Sequence, residues 1–369
     1  MPAYEPGLTI AEVLQSYGLT EAIKLASNES PYPPITAVAE VVAQASDGLN
    51  RYPDAAGRSL RGDLADRHGV LPDQVALGNG SCELILLLGQ ALLDPGTTVV
   101  HADPSFAIYP FLAAASGAKA VAVPLADDHG HDLPAMAAAV DERTRLVVIC
   151  NPNNPTGVYR SAGAIEVFLD GLPDDLPVLV DEAYFDFVSE RDAGRTLTLA
   201  RTRPNLIVTR TFSKAYGLCG LRVGYAIGGA GLVQAIDRVR QPFNVNHIAQ
   251  LAAREGLRHP AEMDRRIRAT ISERDRVANR LSDAGQGFTR SQGNFILLRA
   301  GSGDADDGRW VHEALLRRGV IVRDGGALGC PGWLRVTIGL PEENDRFLAA
   351  LAAVRETPTE RATEGWQSP

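Results

Sequence analysis

The sequence predicts an α/β protein, with a large domain built on a mostly parallel, seven-stranded sheet covered by helices and a smaller α+β domain behind it. Three observations predict this. Between residues 75 and 227, short β-branched runs alternate with helical patterns. Those runs are apolar throughout rather than alternating with polar residues, as strands covered on both faces are. Beyond Gly231 the texture turns helical and then ends in a few further strands, which suits a separate α+β unit. At 369 residues the chain has room for two domains of ordinary size.

Residues 1–33 are rich in Pro, Gly, Ser and Asn, with one short periodic stretch at 10–17, and read as an N-terminal arm. The large domain is expected over 34–245. Its strands are read at 75–77, 97–101, 118–123, 145–150, 177–180, 206–209 and 222–227, with helices at 83–92, 133–140 and 162–169 between them. The small domain, 246–356, carries helical patterns at 247–257, 261–284, 310–318 and 342–354 and strands at 295–298, 320–322 and 334–338. The polar tail, 357–369, is expected to be disordered.

A formal charge of -9 disfavours general attraction to nucleic acid or anionic lipid. The longest apolar stretch, 84–93, is broken by Gly89 and Gln90 and falls far short of the roughly 20 residues that span a bilayer. The opening MPAYEPG has neither a basic nor an apolar leader segment, so the cytoplasm is the expected compartment. Cys82, Cys150, Cys219 and Cys330 form no CxxC pair and read as free thiols. Of 36 basic residues only Lys24, Lys119 and Lys214 are lysines, so each of the three invites a specific question.

Several chemistries fall away. No lysine follows a glycine, as a Walker A loop requires, and the glycine clusters lack the third glycine of a dinucleotide turn. HExxH and GxSxG are both missing. The pair His129 and His131 lies in DDHGHD, which reads as a solvated polar loop, and no metal is expected.

Four segments call for more than composition. GNGSCE, 78–83, joins a strand to an apolar helix, where free N–H groups and the Ser81 hydroxyl would face an anion; simple helix capping by Ser81 explains it equally well. NPNNPTG, 151–157, follows a strand and leaves amide side chains at the carboxyl edge of the sheet, where α/β sheets bind ligands. In VLVDEAYFDF a strand ends in Asp181 and Glu182, followed by Tyr184. In TRTFSKAYGLCGLRVGYAIG, Lys214 sits in apolar company with Arg222 downstream; such a lysine tends to be less basic and free to attack a carbonyl. Together these residues meet the needs of pyridoxal phosphate. Its aldehyde takes a lysine, its ring nitrogen a carboxylate, and its phosphate a set of N–H, hydroxyl and guanidinium donors.

GNGSCE, PSFAIYP, NPNNPTG, DEAY and TFSKAYGLCGLRVGY, in this order, resemble a fold-type I pyridoxal-phosphate aminotransferase of class II. LASNESPYPP, NRYPDAAG, PFNVN, GNFILL, GVIVRD and LRVTIG resemble its histidinol-phosphate subfamily more closely, and the likeness runs from about Tyr4 to Val354. The resemblance implies the following roles. Lys214 holds the cofactor as a Schiff base and shuttles the proton; Asp181 pairs with the ring nitrogen; Asn154 and Tyr184 bind the phenolate oxygen; Tyr109 stacks on the ring. Ser81, the backbone of Cys82, Ser213 and Arg222 hold the phosphate, and Tyr52 reaches in from a second subunit, making a homodimer with shared sites. Cys82 departs from the acidic or small polar residue usual in the family, which puts phosphate affinity in doubt if the side chain takes part.

On the substrate side the resemblance assigns Arg335, Arg323 and Tyr4 to the substrate phosphate, and Asn28, Asn154, Asn244 and Asn246 to the same pocket. The implied reaction moves an amino group between L-histidinol phosphate and 2-oxoglutarate, a step of histidine biosynthesis. The alternative is an aromatic amino-acid aminotransferase, against which the PFNVN asparagines weigh. Regulators on the same fold carry an appended DNA-binding domain, for which the sequence offers no spare segment. Other pyridoxal-phosphate reactions remain open at Lys214 and Asp181, because substrate orientation decides among them.

Overall fold

The computed structural model describes residues 7–356; Tyr4 and the 357–369 tail lie outside the described residues. The arm opens with α1 (Ile10–Tyr17), capped by a reciprocal Thr9–Glu12 box and closed by Gly18. After it come β1 (Ile23–Lys24), α2 (Thr36–Ala45) and α3 (Arg58–His68). Strands and helices then alternate: β2 (Val75–Gly78), α4 (Ser81–Leu92), β3 (Thr98–Asp103), α5 (Ile108–Ala115), β4 (Lys119–Pro124), α6 (Leu133–Ala138), β5 (Thr144–Cys150), α7 (Ala162–Asp170), β6 (Val178–Asp181), α8 (Arg195–Ala200), β7 (Leu206–Thr211) and β8 (Gly224–Gly228). These seven strands form one sheet in the order β2-β8-β7-β6-β5-β3-β4. Only β8 runs against its neighbours. Every residue of β2, β6, β7 and β8 is buried, which is why their apolar runs do not alternate.

Helices cover both faces. On one, α4 and α5 pack Leu84, Ile85, Leu88 and Leu112 against Val99, Val148 and Leu179. On the other, Met136, Ile165 and Phe168 from α6 and α7 meet Val100, Val147 and Val180. The chain continues through α9 (Ala230–Val239), α10 (His247–Leu257), the long α11 (Pro260–Asp283), β9 (Phe295–Arg299), α12 (Ala305–Leu316), β10 (Val320–Ile321), β11 (Arg323–Asp324), β12 (Trp333–Thr337) and α13 (Pro341–Glu356). Ala249, Ala252 and Ala253 of α10 share a core with Leu60, Leu64 and Val75, so the boundary expected at 246 separates elements that pack together.

Two features of the C-terminal part differ from the reading of the sequence. The strand expected at 320–322 divides at Val322: β10 pairs in parallel with β1 of the arm, while β11 pairs antiparallel with β12, which in turn pairs with β9. The arm is also more than a connecting segment. Leu25 lies in the same core as Ile296, Leu334 and Phe347.

Gly89 in α4 faces the sheet-covering helix α5, and a methyl group there would overlap the buried Leu112 side chain. Gly to Ala inside a helix normally stabilises by up to about 1 kcal/mol. Here overpacking reverses the sign: Gly89→Ala is expected to lower unfolding free energy by about 1–3 kcal/mol, measured by urea denaturation.

Candidate active site

Asp103, Cys150, Asp181 and Thr211 are the last residues of β3, β5, β6 and β7. The loops that follow them therefore gather at one edge of the sheet, the place where open α/β sheets bind ligands. A cavity of about 210 Å³ opens there, and Ser81, Asn154, Asp181, Lys214, Arg222 and Arg335 are among its lining residues. These six residues bring five of the segments singled out in the sequence together.

Asp181 is 2% exposed. The Tyr109 hydroxyl donates to its Oδ2 at 2.9 Å, and the Thr209 hydroxyl and the Ala183 N–H donate to Oδ1, each at 3.2 Å. No cation pairs with it among the described residues, and burial pushes its pKa up to about 6 against the effect of these donors. A buried carboxylate facing a cavity without a counter-charge is suited to a cationic ligand atom.

Lys214 lies in the loop after β7. Its Nζ is 3.4 Å from the Ser27 carbonyl oxygen and 5.6 Å from the centre of the Tyr184 ring. Burial, and next the charge of Arg335, push its pKa down to about 8, which makes a neutral amine available near physiological pH.

The turn before α4 forms an anion cradle. Gly80 has a positive φ of 79°, and a Cβ there would overlap the Arg222 guanidinium. Arg222 itself, with φ 57°, donates to the Ser213 hydroxyl at 3.3 Å and to the Cys219 carbonyl oxygen at 3.1 Å. Ser81 and Cys82 begin α4, a 12-residue helix whose N-terminal N–H groups and dipole favour an anion. Burial, and secondarily Asp181, raise the Cys82 pKa, so its side chain stays a neutral thiol at this cradle.

Opposite, Arg335 donates to Asn154 Oδ1 at 2.6 Å and to the Ala26 carbonyl oxygen at 2.8 Å. Asn28 donates through Nδ2 to the Tyr184 hydroxyl at 3.0 Å and accepts from Thr337 at 3.1 Å. Arg323 also lines the cavity. It is paired directly across the β11–β12 ladder with Arg335, so both side chains project from the same face.

Three expectations, those for Tyr109, the PFNVN asparagines and His131, need correction. Tyr109 does not line the cavity; it is 0% exposed and bonded to Asp181, and Phe106 from the same motif lies on the lining instead. Tyr52, expected to serve a second subunit's site, is 82% exposed and stacks on Phe243 at 4.5 Å, off the cavity lining of its own chain, as that expectation requires. Asn244 and Asn246 hold the scaffold instead: Asn244 donates to Glu83 at 2.7 Å, and Asn246 caps α10 through Ala249 N–H and donates to the Leu221 carbonyl oxygen. His131 is 3% exposed rather than solvated, in contact with Asn153 at 3.2 Å, and burial pushes its pKa down to about 4. Among the described residues no group of three or more His, Cys, Asp or Glu side chains is placed to hold a metal.

The sequence reading overlooked Phe106, Thr209 and the buried pair Arg210–Glu182, in which Arg210 Nε and NH2 donate to Glu182 Oε2 at 2.9 and 2.7 Å. Arg210 also lies 3.6 Å over the Phe185 ring. Thr209 and the Arg210–Glu182 pair are brought together by strand pairing between β6 and β7, in which Asp181 lies opposite Thr209, whereas Phe106 comes from the loop after β3.

Residues 20–351 match the profile of the family described as aminotransferase class I and II. The chain belongs to this family. It is 46% identical over 350 residues to histidinol-phosphate aminotransferase 1 of Cupriavidus pinatubonensis, covering 94% of this chain and 93% of that one. It is 42% identical over 352 residues to the histidinol-phosphate aminotransferase of Geobacillus thermodenitrificans, covering 95% of both. Among solved structures, histidinol-phosphate aminotransferase from Sinorhizobium meliloti in complex with pyridoxal-5'-phosphate superposes with a TM-score of 0.87, at 29% identity and over 96% of both chains. The family's fold-type I architecture and the seven-stranded sheet described above agree.

The electrostatics of Lys214 are open to direct measurement. Labelling of Lys214 in the cofactor-free protein by fluorodinitrobenzene, followed by peptide mapping, is expected to rise with pH through a midpoint near 8. Arg335→Leu removes a positive neighbour that disfavours the ammonium form, so the midpoint is expected to move to higher pH.

Proposed function

We propose that the protein is a pyridoxal-phosphate-dependent transaminase that moves an amino group between L-histidinol phosphate and 2-oxoglutarate. The observation that carries the substrate is the facing pair Arg323 and Arg335. Like charges directly opposite in a sheet are destabilising, and a ligand phosphate dianion offsets that repulsion while accepting from two guanidinium forks. The similarity to histidinol-phosphate aminotransferases at 46% and 42% identity supports the same substrate.

The cavity fits the cofactor on its own chemistry: a carboxylate without a counter-charge, an amine of lowered basicity and an anion cradle at a helix start. Bound, pyridoxal phosphate supplies an aldehyde for amine exchange and a ring that accepts the electrons left when the substrate Cα proton departs. In this reading Asp181 holds the ring nitrogen protonated. Ser81, the Cys82 N–H, Ser213 and Arg222 bind the cofactor phosphate, and Phe106 supplies the aromatic face. Asn154, through Nδ2, and Tyr184 donate to the phenolate oxygen. Lys214 would anchor the cofactor through its amine, and the freed amine would take the proton from the substrate Cα and deliver it to the cofactor's former aldehyde carbon, across the transferred nitrogen. A group with a pKa near 8 is well matched to that exchange.

The exposed stack of Tyr52 on Phe243 supports a homodimer in which each copy completes the other's site. No described helix is long and apolar enough to cross a membrane, and a cytoplasmic location belongs to the same reading.

Borohydride reduction of the cofactor-loaded protein is expected to tag Lys214; a tag on Lys24 or Lys119 overturns the anchor. Lys214→Ala is expected to lose activity by about 10²–10⁴-fold or more. Arg323→Leu is expected to lower kcat/KM for histidinol phosphate by about 10–100-fold, the range of a lost charged hydrogen bond, with little change for phenylalanine. Equal or better kcat/KM with phenylalanine or tyrosine in the unaltered protein favours the aromatic aminotransferase instead.

A further inference from the structure

Tyr109 is a fully buried residue in the first turn of α5, packed in the core that contains Val148, Cys150 and Leu179. Phe106 meets its ring edge-on, with centroids 6.0 Å apart, and His101 lies at 6.2 Å. A phenylalanine would fill this space as well. The hydroxyl is therefore the feature that packing does not explain, since an unsatisfied buried hydroxyl is costly. It is directed at Asp181 Oδ2, at 2.9 Å.

The two oxygens of Asp181 are served differently. Oδ1 accepts from Thr209 and from the Ala183 N–H, whereas Tyr109 is the protein donor recorded for Oδ2. The other titratable groups around the carboxylate are Glu182 on its own strand, Cys150 on β5, Cys82 on α4 and Tyr184 beyond β6, with Lys214 and Arg222 on the same cavity lining. Glu182 is bonded to Arg210. Among the described residues no cation is paired with Asp181, so the hydrogen bonds it accepts come from neutral donors, which favour its charged form.

We propose that Tyr109 is a positioning residue for Asp181: its hydroxyl keeps negative charge on the carboxylate and so keeps the shared proton on the cofactor's ring nitrogen. The inference rests on the transaminase reading above. A carboxylate that accepts a hydrogen bond is a weaker base, and the proton stays with the ring. Without the Tyr109 hydroxyl the proton moves toward Asp181, and the ring becomes a poorer electron acceptor. Tyr109 touches neither substrate nor cofactor, and its effect passes through Asp181.

The test has a cofactor-free arm and a loaded arm. In cofactor-free protein carrying 13C-labelled aspartate, with the Asp181 signal assigned through Asp181→Asn, Tyr109→Phe is expected to raise the Asp181 titration midpoint by about one pH unit, as loss of a hydrogen bond to a charged group implies. With 15N-labelled pyridoxal phosphate bound, the ring nitrogen of the variant is expected to move from the pyridinium toward the neutral-pyridine position. Its kcat is expected to fall roughly tenfold, with a larger isotope effect for Cα-deuterated substrate and unchanged cofactor affinity. Incorporation of 3-fluorotyrosine, a stronger donor of nearly the same shape, should move the Asp181 midpoint the opposite way, and it serves if Tyr109→Phe does not fold. If neither variant moves the 13C midpoint or the 15N signal, the proposal is overturned, even where kcat falls. Failure of the unaltered protein to take up pyridoxal phosphate sinks the transaminase reading and leaves the cofactor-free titration as a separate result.

Discussion

The site is organised around one buried carboxylate that has no ion-pair partner among the described residues. Asp181 closes β6 in the middle of the sheet, flanked in register by Cys150 and Thr209. The protein gives it only hydrogen bonds from uncharged groups. Everything above it complements that choice: a lysine made less basic by burial, a glycine turn that admits an arginine, and two arginines on the far wall. A site that supplies its positive charge internally would have no use for a cationic ring. In the proposed function a cationic ring would complete the electrostatics as well as the chemistry.

The two halves of the cavity come from different parts of the fold. The large sheet contributes Asp181, Lys214 and the anion cradle, while β11, β12 and the arm contribute Arg323, Arg335 and Asn28. Hydrogen bonds cross between them, from Arg335 to Asn154 and from Asn28 to Tyr184. The amide loop and the phenol are thus oriented by residues more than a hundred positions away in sequence, so contacts on the substrate side bear on the cofactor side.

The strands of the large sheet were legible because burial on both faces leaves an uninterrupted apolar run, and each was read to within about two residues of its ends. Lys214, Asp181, Asn154 and Arg222 were legible because their residue types and order match one cofactor's needs. Other parts were hidden for physical reasons. Helix α5 contains Pro110, which argues against a helix until its position in the first turn is known. Phe106 and Tyr109 lie three residues apart in one motif, and only the entry angle of α5 decides that Phe106 faces the cavity and Tyr109 the sheet. DDHGHD reads as polar, yet Asn153 from a distant loop covers His131. The PFNVN asparagines carry the composition of a binding loop but spend their hydrogen bonds on Glu83, Leu221 and Ala249.

The parallel pairing of Ile23 with Val320 and Lys24 with Ile321 has a consequence for how the molecule is made. During synthesis the first of these segments leaves the ribosome long before the second exists. At about 5–20 residues per second the delay is roughly 15–60 s. Throughout that interval Leu25 has no hydrophobic home, and the wall that holds Arg323 and Arg335 cannot close. The nascent large sheet can form in the meantime, but the finished cavity waits for translation to approach its end.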